Sequence, residues 1–459
     1  MPSLSELRQR HPEFIYQAYD IEKQQGDIAL KFQFKVEPDI IFQPTVKIPQ
    51  KEGVDEQTLG NFAFHLGLVE TISYWKATCS PRLRIEAGSL TDEQIRWWHD
   101  LFINGLGEFF FQNDIDFTGR DFLHIETSSQ QREQPDLASS STASGDLILV
   151  GGGKDSAVTL EVLKELPDRK GTLVLNPISS ALRSIEQAGY EKPIIVERAI
   201  DPTLLRLNEA GYLNGHTPFS AYLAFLGVFV GVLHDYENII VSNERSAGEG
   251  NLQFHDLEVN HQYSKGYRFE KLFREYAQKY LTRSAQYFSF LRPLYDLQIS
   301  QLFSQYSQHY ETFRSCNVGQ KTDTWCGTCS KCAFVYLSLF PFTPYETMIK
   351  TFGSDYFRKP ELEQTFKDLV GVGKHKPFDC VGTIDESRLA IAFSAQQYRS
   401  KGGEIPPLIH ALETQLGIEE GNVLTQLKMK VENKWDDQNF LPTDYANLLK
   451  NAVDRIQKK

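Results

Sequence analysis

The sequence predicts an α/β protein whose core is a parallel sheet, preceded by a small α+β domain. Three observations lead there. From residue 146 onward, short apolar runs alternate with stretches of helical spacing. Residues 1–126 instead group strand-like runs ahead of an aromatic-rich helix, and a Ser-, Gln- and Thr-dense stretch, 127–145, separates the two regions.

In the N-terminal domain, Phe14–Asp20, Ala29–Val36 and Ile40–Val46 read as strands joined by polar turns at Gln24-Gln25-Gly26 and Glu37-Pro38-Asp39. Leu90-Thr91-Asp92-Glu93 has helix-start composition and leads into Ile95–Phe111. Residues 127–145, TSSQQREQPDLASSSTASG, hold too few apolar side chains to pack and read as a flexible, solvated linker. Strands follow at Asp146–Val150, Thr172–Asn176, Ile194–Arg198 and Asn238–Ser242, with helices at Ala157–Leu166, Ser179–Ala188, Thr203–Glu209 and Phe219–His234. Right-handed crossovers between such strands place ligands at the carboxyl edge of a parallel sheet. The residues there are Gly151–Ser156, Asn176-Pro177-Ile178 and Ser242-Asn243-Glu244, polar or glycine-rich as a nucleotide pocket requires. This domain runs over 146–345, and 346–459 reads as mainly helical, with helices near Pro360–Leu369, Arg388–Tyr398 and Tyr445–Gln457.

Bulk properties narrow the function. Sixty acidic against 48 basic residues give a formal charge of −12, which disfavours a protein built to hold long RNA or DNA. The start, MPSLSELRQRHPEF, lacks the apolar region of a signal peptide. The most apolar run, Phe219–Leu233, is too short for a bilayer and reads as a buried helix. Four of the six cysteines fall between 316 and 332, which fits a metal site in a reducing cytoplasm better than a disulfide framework. The expected setting is cytoplasmic, with no membrane and no nucleic-acid partner; homo-oligomerisation is compatible with the sequence.

Asp146–Lys164, DLILVGGGKDSAVTLEVLK, carries the most chemistry. Gly151, Gly152 and Gly153 between strand and helix let bare backbone N–H groups approach a ligand, and the helix end adds positive potential. Lys154 adds a point charge; Asp155 and Ser156 either cap the helix or contact phosphate and its Mg²⁺. The spacing is neither a Walker A loop nor a GxGxxG fingerprint. It resembles the SGGxDS pyrophosphate loop of ATP pyrophosphatases (adenine nucleotide alpha hydrolase-like proteins), with Gly151 in place of the first serine.

Cys316, Cys326, Cys329 and Cys332 lie in RSCNVGQKTDTWCGTCSKCAF. Four thiolates on a glycine-containing loop suit a tetrahedral structural Zn²⁺ knuckle, with an iron–sulfur cluster as the alternative. Cys79 reads as a buried apolar residue. Further polar runs are Asn214–Pro218, Ser242–Ser246, Glu258–Lys265, Arg292-Pro293 and Lys376–Cys380. Each has a plain reading as a turn or a solvated loop. Their number around one α/β unit points to a second pocket.

Several motifs in one order resemble the MurL-type UDP-N-acetylmuramoyl-L-alanyl-L-glutamate epimerase family, within the pyrophosphate-loop ATP pyrophosphatase superfamily. They are GGGKDS (Gly151–Ser156), NGHTP (Asn214–Pro218), SNERSA (Ser242–Ala247), VNHQYSK (Val259–Lys265), WCGTCSKC (Trp325–Cys332) and KPFDCVG (Lys376–Gly382). The resemblance covers about 146–390 and implies ATP- and Mg²⁺-dependent inversion of the terminal glutamate of a UDP-sugar dipeptide, with release of AMP and pyrophosphate. Converting the carboxylate to an acyl-adenylate removes a negative charge and lets the carbonyl accept the α-carbanion. One group must then remove a proton and another return it. The candidate catalytic residues are Cys380, His216, His261, Lys265 and Asp155. Gly151, Gly152, Gly153, Lys154, Asp155, Ser156, Asn176, Asn243 and Glu244 are expected to bind the nucleotide. The N-terminal domain and the loops of 242–265 are expected to enclose the rest of the long substrate.

Two other readings share these features. 7-Cyano-7-deazaguanine synthase has a similar loop and cysteine order, so an amide- or nitrile-forming ligase on a nucleobase carboxylate is one; it would consume ammonia. A zinc-stabilised nucleotide-binding regulator is the other, and it would release no pyrophosphate. A structural thiol in a strand is the plain reading of Cys380.

Overall fold

The computed structural model describes residues 2–457 except 25, 51–52, 128–136, 138–141, 420 and 433. Most of the expected linker lies outside the described residues. The fold is α/β, organised on one 11-stranded sheet.

Five strands of that sheet run parallel in the spatial order Gln286–Ser289, Asn238–Val241, Asp146–Leu149, Lys170–Leu175 and Ile194–Ala199. Chain order therefore reverses between Asp146–Leu149 and Asn238–Val241, which makes a topological switch point. In such sheets the crevice outside the carboxyl ends at the switch is where ligands bind. The glycine loop leaves one of these two strands and Ser242-Asn243-Glu244 leaves the other. Alternation along the strands supports burial on both faces. Leu147 and Leu149 join one apolar core, Ile148 and Val150 the other; Ile239 and Ile240 divide in the same way.

The sheet does not stop at Ile194–Ala199. Thr45–Pro49 pairs antiparallel with it, followed by Asp27–Val36, Glu13–Gln24, Arg82–Ile85 and His124–Thr127. The N-terminal strands thus extend the same sheet that carries the glycine loop. Where one strand over Ile40–Val46 is expected, two form, Ile40–Phe42 and Thr45–Pro49. Pro44 lies between them and has no N–H to donate to a ladder; its carbonyl instead accepts Phe32 N at 3.0 Å.

Many elements have no counterpart in the sequence reading, among them the strands Arg82–Ile85 and His124–Thr127 and the helices Tyr267–Tyr280, Asp296–Phe303 and Ser330–Leu339. Glu56–Trp75 is a 20-residue helix, capped by Asp55 on Thr58 N at 2.9 Å and buried along most of its length. It packs on Glu13–Gln24 and on Phe219–Leu233, where Phe62 stacks on Phe229 with centroids 4.8 Å apart. The strand Gln286–Ser289 and the small hairpin Leu252–Phe254 with Leu257–Val259 are also unforeseen. The aromatic stretch expected as one helix is two, Asp92–Gly105 and Gly107–Gln112. Phe219–Leu233 is a buried 15-residue helix, and among the described residues no helix is long and apolar enough to cross a membrane. The last third of the chain is helical, with Ile384–Ser400 the longest element, and packs on the core that also buries Ala157 and Leu160 of the glycine-loop helix.

One buried ion pair reinforces the antiparallel junction. Glu70 of the long helix and Arg198 of the strand Ile194–Ala199 form a bidentate pair at 2.8 and 2.7 Å, with Glu70 fully buried. Removing one partner strands the other charge, whereas removing both does not. Glu70→Ala is expected to lower unfolding free energy by about 3–5 kcal/mol. The double variant Glu70→Leu/Arg198→Met should recover most of that loss in urea denaturation. A loss below about 1 kcal/mol in the single variant would show that the pair is not a stabilising element of the junction.

Candidate active site

The glycine loop takes the shape its composition requires. Gly152 has φ +78, and a Cβ there would lie 2.6 Å from Ala181 N and from Ser180 Oγ. A Cβ on Gly153 would lie 2.8 Å from Ser315 Oγ, so the backbone must stay bare where the Cys316 segment crosses it. Helix Lys154–Leu163 begins at Gly153 without a side-chain cap. Ser156 Oγ donates to Gly153 O at 2.9 Å. The first-turn N–H groups and the helix dipole therefore remain available to an anion at the sheet's carboxyl edge.

Lys154 does not project into solvent. It is 1% exposed, with its ammonium 2.5 Å from Asp155 and 2.9 Å from Asp296. Burial opposes its charge, but the two carboxylates outweigh this and hold it protonated. Asp155 shows the converse: burial pushes its carboxyl up, yet Lys154, Lys331 and Lys265 bring it below the usual range. Asp296, also buried, is pushed up.

A second group of residues meets beside this loop. Lys265 Nζ contacts Cys380 Sγ at 3.2 Å, and His261 Nε2 lies 3.9 Å from the same sulfur. The other nitrogen of His261 bonds Glu108, whose Oε2 is 3.4 Å from His216 Nδ1; the imidazole centroids are 4.4 Å apart. Lys331 donates to the Cys380 carbonyl. Burial alone would raise the Cys380 thiol. Lys265, the His261 hydrogen bond and Lys331 reverse this and bring it down to about 5. Burial disfavours the His261 cation, but Cys380 and Glu108 raise it to about 9. His216 is driven down to about 3 by burial and by the cations His261, Lys76 and Lys265. The arrangement holds a thiolate against an imidazolium at neutral pH.

Much of the remaining polar sequence positions these groups. Asn251 accepts His261 N at 2.8 Å and donates to Pro377 O at 2.7 Å, tying the two loops together. Gln262 donates to Val381 O at 3.1 Å, and Lys376 to Glu249 O at 3.0 Å. Arg292, buried, pairs with Glu270 at 3.0 Å and donates to the carbonyls of Glu244 and Lys265. Glu244 is itself buried and raises Lys265 through its charge.

Of the residues expected from sequence, the structure brings together Cys380, His216, His261, Lys265 and Asp155. Gly151–Ser156 and Glu244 border them. Asn176 is not among them: exposed, its amide is committed to the backbone N and O of Arg198 at 2.7 and 2.9 Å. Asn243 donates to Ser289 Oγ at 3.3 Å. Sequence reading missed Glu108, Asp296 and Lys331. A lone carboxylate before Phe109-Phe110-Phe111 was a signal for the first; the other two are ordinary charges in local sequence.

Cys316, Cys326, Cys329 and Cys332 place all four sulfurs within 4.8 Å of one another, with Cys326–Cys332 at 3.7 Å and Cys316–Cys329 at 4.0 Å. Sulfurs around a tetrahedral ion at about 2.3 Å stand about 3.8 Å apart. Gly319 N points at Cys316 Sγ at 3.0 Å, and Cys329 N and Cys332 N point at the preceding sulfurs at 3.4 Å. Gly327, at φ +67, makes the turn of the knuckle.

Lys154→Met would remove the cation that stands between Asp155 and the buried Asp296. A loss of about 3–5 kcal/mol at pH 7 is expected by urea unfolding. Asp155, whose carboxyl is depressed in the folded protein, contributes stability that is present above the unfolded pKa and lost as pH falls through its folded value. The wild-type advantage should therefore hold above about pH 4 and shrink below it, as the Asp155 carboxylate protonates. An advantage independent of pH would overturn the charge assignment.

The comparisons with known proteins agree with one another. A family model described as the MurL N-terminal domain matches residues 5–290, and one described as the MurL C-terminal domain matches 312–421. Three curated relatives carry the name UDP-N-acetyl-alpha-D-muramoyl-L-alanyl-L-glutamate epimerase. The Micromonospora sp. protein is 31% identical over 423 residues, covering 89% of this chain and 92% of its own. That of Salinispora tropica is 33% identical over 374 residues, 80% of each chain. That of Xanthomonas oryzae pv. oryzae is 30% identical over 392 residues, covering 82% and 84%. No solved structure matches. The paired glycine loop and thiol–imidazole cluster thus stand within a chain that belongs to the MurL epimerase family.

Proposed function

We propose that this protein inverts the terminal L-glutamate of UDP-N-acetylmuramoyl-L-alanyl-L-glutamate to D-glutamate, using ATP and Mg²⁺ and releasing AMP and pyrophosphate. The observation that carries this reading is the junction of the two clusters: Lys265 and Lys331 bear electrostatically on both Asp155 and Cys380. An anion-binding loop and a proton-transfer group are thereby held in one site, as an epimerase that first activates its substrate requires.

The glycine loop N–H groups and the uncapped helix end at Lys154 would hold the nucleotide phosphates in the manner of an ATP pyrophosphatase. Asp155 would contribute a carboxylate to Mg²⁺, which would offset the phosphate charge there. The substrate carboxylate attacks the α-phosphorus and pyrophosphate departs. The resulting acyl group has lost its negative charge, so its carbonyl can take up the electrons of the α-carbanion as an enolate. The Cys380 thiolate removes the α-proton. Two groups acting on opposite faces of one carbon, each about 3–3.5 Å away, must stand roughly 6–7 Å apart. Cys380 and His261 are 3.9 Å apart, so they serve one face as a pair. The acid on the other face lies outside that contact. Hydrolysis of the anhydride then frees AMP.

The four-cysteine knuckle fits Zn²⁺ by donor type and sulfur spacing, and four protein ligands leave no position for substrate. Its contribution is to folding. Elemental analysis of freshly purified protein is expected to give one zinc per chain; iron with visible charge-transfer absorption would overturn this in favour of a cluster.

The decisive experiment incubates the protein with ATP, Mg²⁺ and the L-glutamate dipeptide nucleotide in D₂O, followed by chiral analysis. Inversion with deuterium at the α-carbon, without added ammonia, is expected. Asp155→Ala should release no pyrophosphate, and Cys380→Ser should lose both wash-in and inversion. Normal inversion in Cys380→Ser would place the base elsewhere, and normal turnover in Asp155→Ala would remove the ATP assignment.

A further inference from the structure

We propose that Glu108, contributed by the N-terminal part of the chain, is the positioning residue that orients His261 toward Cys380 and keeps it an imidazolium. The inference rests on the reading of Cys380 as a proton-transfer group, and it deepens that reading by assigning what holds the thiolate's partner. Glu108 opens the short helix Gly107–Gln112, between the buried Leu106 and Phe109-Phe110. A carboxylate in so apolar a setting persists only if it is paired. Its partners are the Nδ1 atoms of two imidazoles, His261 in direct hydrogen bond and His216 at 3.4 Å, and the Gln112 amide, which donates to the other carboxylate oxygen at 3.5 Å.

The consequence for His261 is geometric. With Nδ1 engaged by a carboxylate, the ring is fixed with Nε2 facing the Cys380 sulfur. A carboxylate behind an imidazole both orients the ring and favours its cation, as in other acid–base relays. The sequence places 107 residues between Glu108 and His216, and 118 between His261 and Cys380, so only the fold assembles the row. Other charged groups bear on it: Asp379 and the Cys380 thiolate favour the cation, while Lys76, Lys265 and Lys331 supply positive charge around the row and His216 stays neutral. Glu108 is the carboxylate in hydrogen-bond contact with the ring.

The test follows the imidazole directly and needs no substrate. Full-length protein labelled at histidine ring carbons is titrated by NMR, with the His261 signal identified by its absence in His261→Asn. In the wild type the His261 midpoint is expected near 9. Glu108→Gln should bring it down by at least about one unit, equivalent to about 1.4 kcal/mol of lost preference for the cation. Glu108→Asp should restore most of the shift. In turnover, Glu108→Gln should lower kcat with KM nearly unchanged, and the alkaline limb of the pH profile should move down with the NMR midpoint. If Glu108→Gln does not fold, Glu108→Asp alone must still show a smaller downward shift. A His261 midpoint unmoved in either folded variant overturns the proposal. Because the titration is independent of the reaction, a failure of the epimerase reading would leave this result intact and identifiable.

Discussion

The antiparallel pairing of Thr45–Lys47 with Glu197–Ala199 is the contact on which the site depends. Without it, the glycine loop, the thiol and the histidines would sit on one unit, and Glu108 would sit on another. The pairing makes the N-terminal strands a continuation of the parallel sheet, and the Glu70–Arg198 pair locks the long helix onto the same strand, Ile194–Ala199. Lys76 follows directly from that helix and donates to Gly215 O and to Thr217 Oγ1, 2.9 Å away, which fixes the His216 loop over Glu108. A backbone ladder far from the chemistry thus sets the distance between a carboxylate and two imidazoles.

Burying so many charges at one sheet edge is costly, and the arrangement shows how the cost is met. Lys154 stands between two aspartates, Lys265 against a thiol, and His261 between that thiol and a glutamate. Pairing of this kind lets Lys154, Lys265 and His261 keep their charge in a low-dielectric setting. The same pairing keeps the thiol ionised at neutral pH. A base for a carbon acid needs that state without solvent competing for it. Structural compensation and chemical readiness are one property here.

The sequence made part of this legible and concealed the rest for identifiable reasons. The glycine triplet, the cysteine spacing and the alternating strands leave local marks, and four of the five strands of the parallel sheet lie within a few residues of their expected bounds. The helix Glu56–Trp75 left none, because burial on nearly every side erases the 3.6-residue stripe by which amphipathic helices are recognised. In the polar loops the difficulty was of another kind. Asn251, Gln262 and Arg292 look as reactive in sequence as His261 and Lys265, but their side chains are consumed in binding neighbouring loops. Only the three-dimensional hydrogen-bond count separates the groups that hold the site from those that face it. Glu108 and Asp296 act through contacts with residues more than a hundred positions away, which no local pattern encodes.

The cysteine knuckle is remote from the acid–base groups in chemistry but not in connectivity. Just ahead of Cys316, Arg314 N donates to Gly152 O at 2.8 Å, and Ser315 packs against Gly153. Just after it, Asn317 bonds Asp379, the neighbour of Cys380. Lys331, between two of the cysteines, reaches the Cys380 carbonyl. One compact turn therefore grips the anion loop on one side and the thiol loop on the other. Drawing four sulfurs onto a common centre fixes the backbone at 316 and at 326–332 together, and with it the relative placement of both loops. On the function proposed above, a metal held there would keep the glycine loop and the thiol loop in register, a task that a closed coordination shell serves better than an open one.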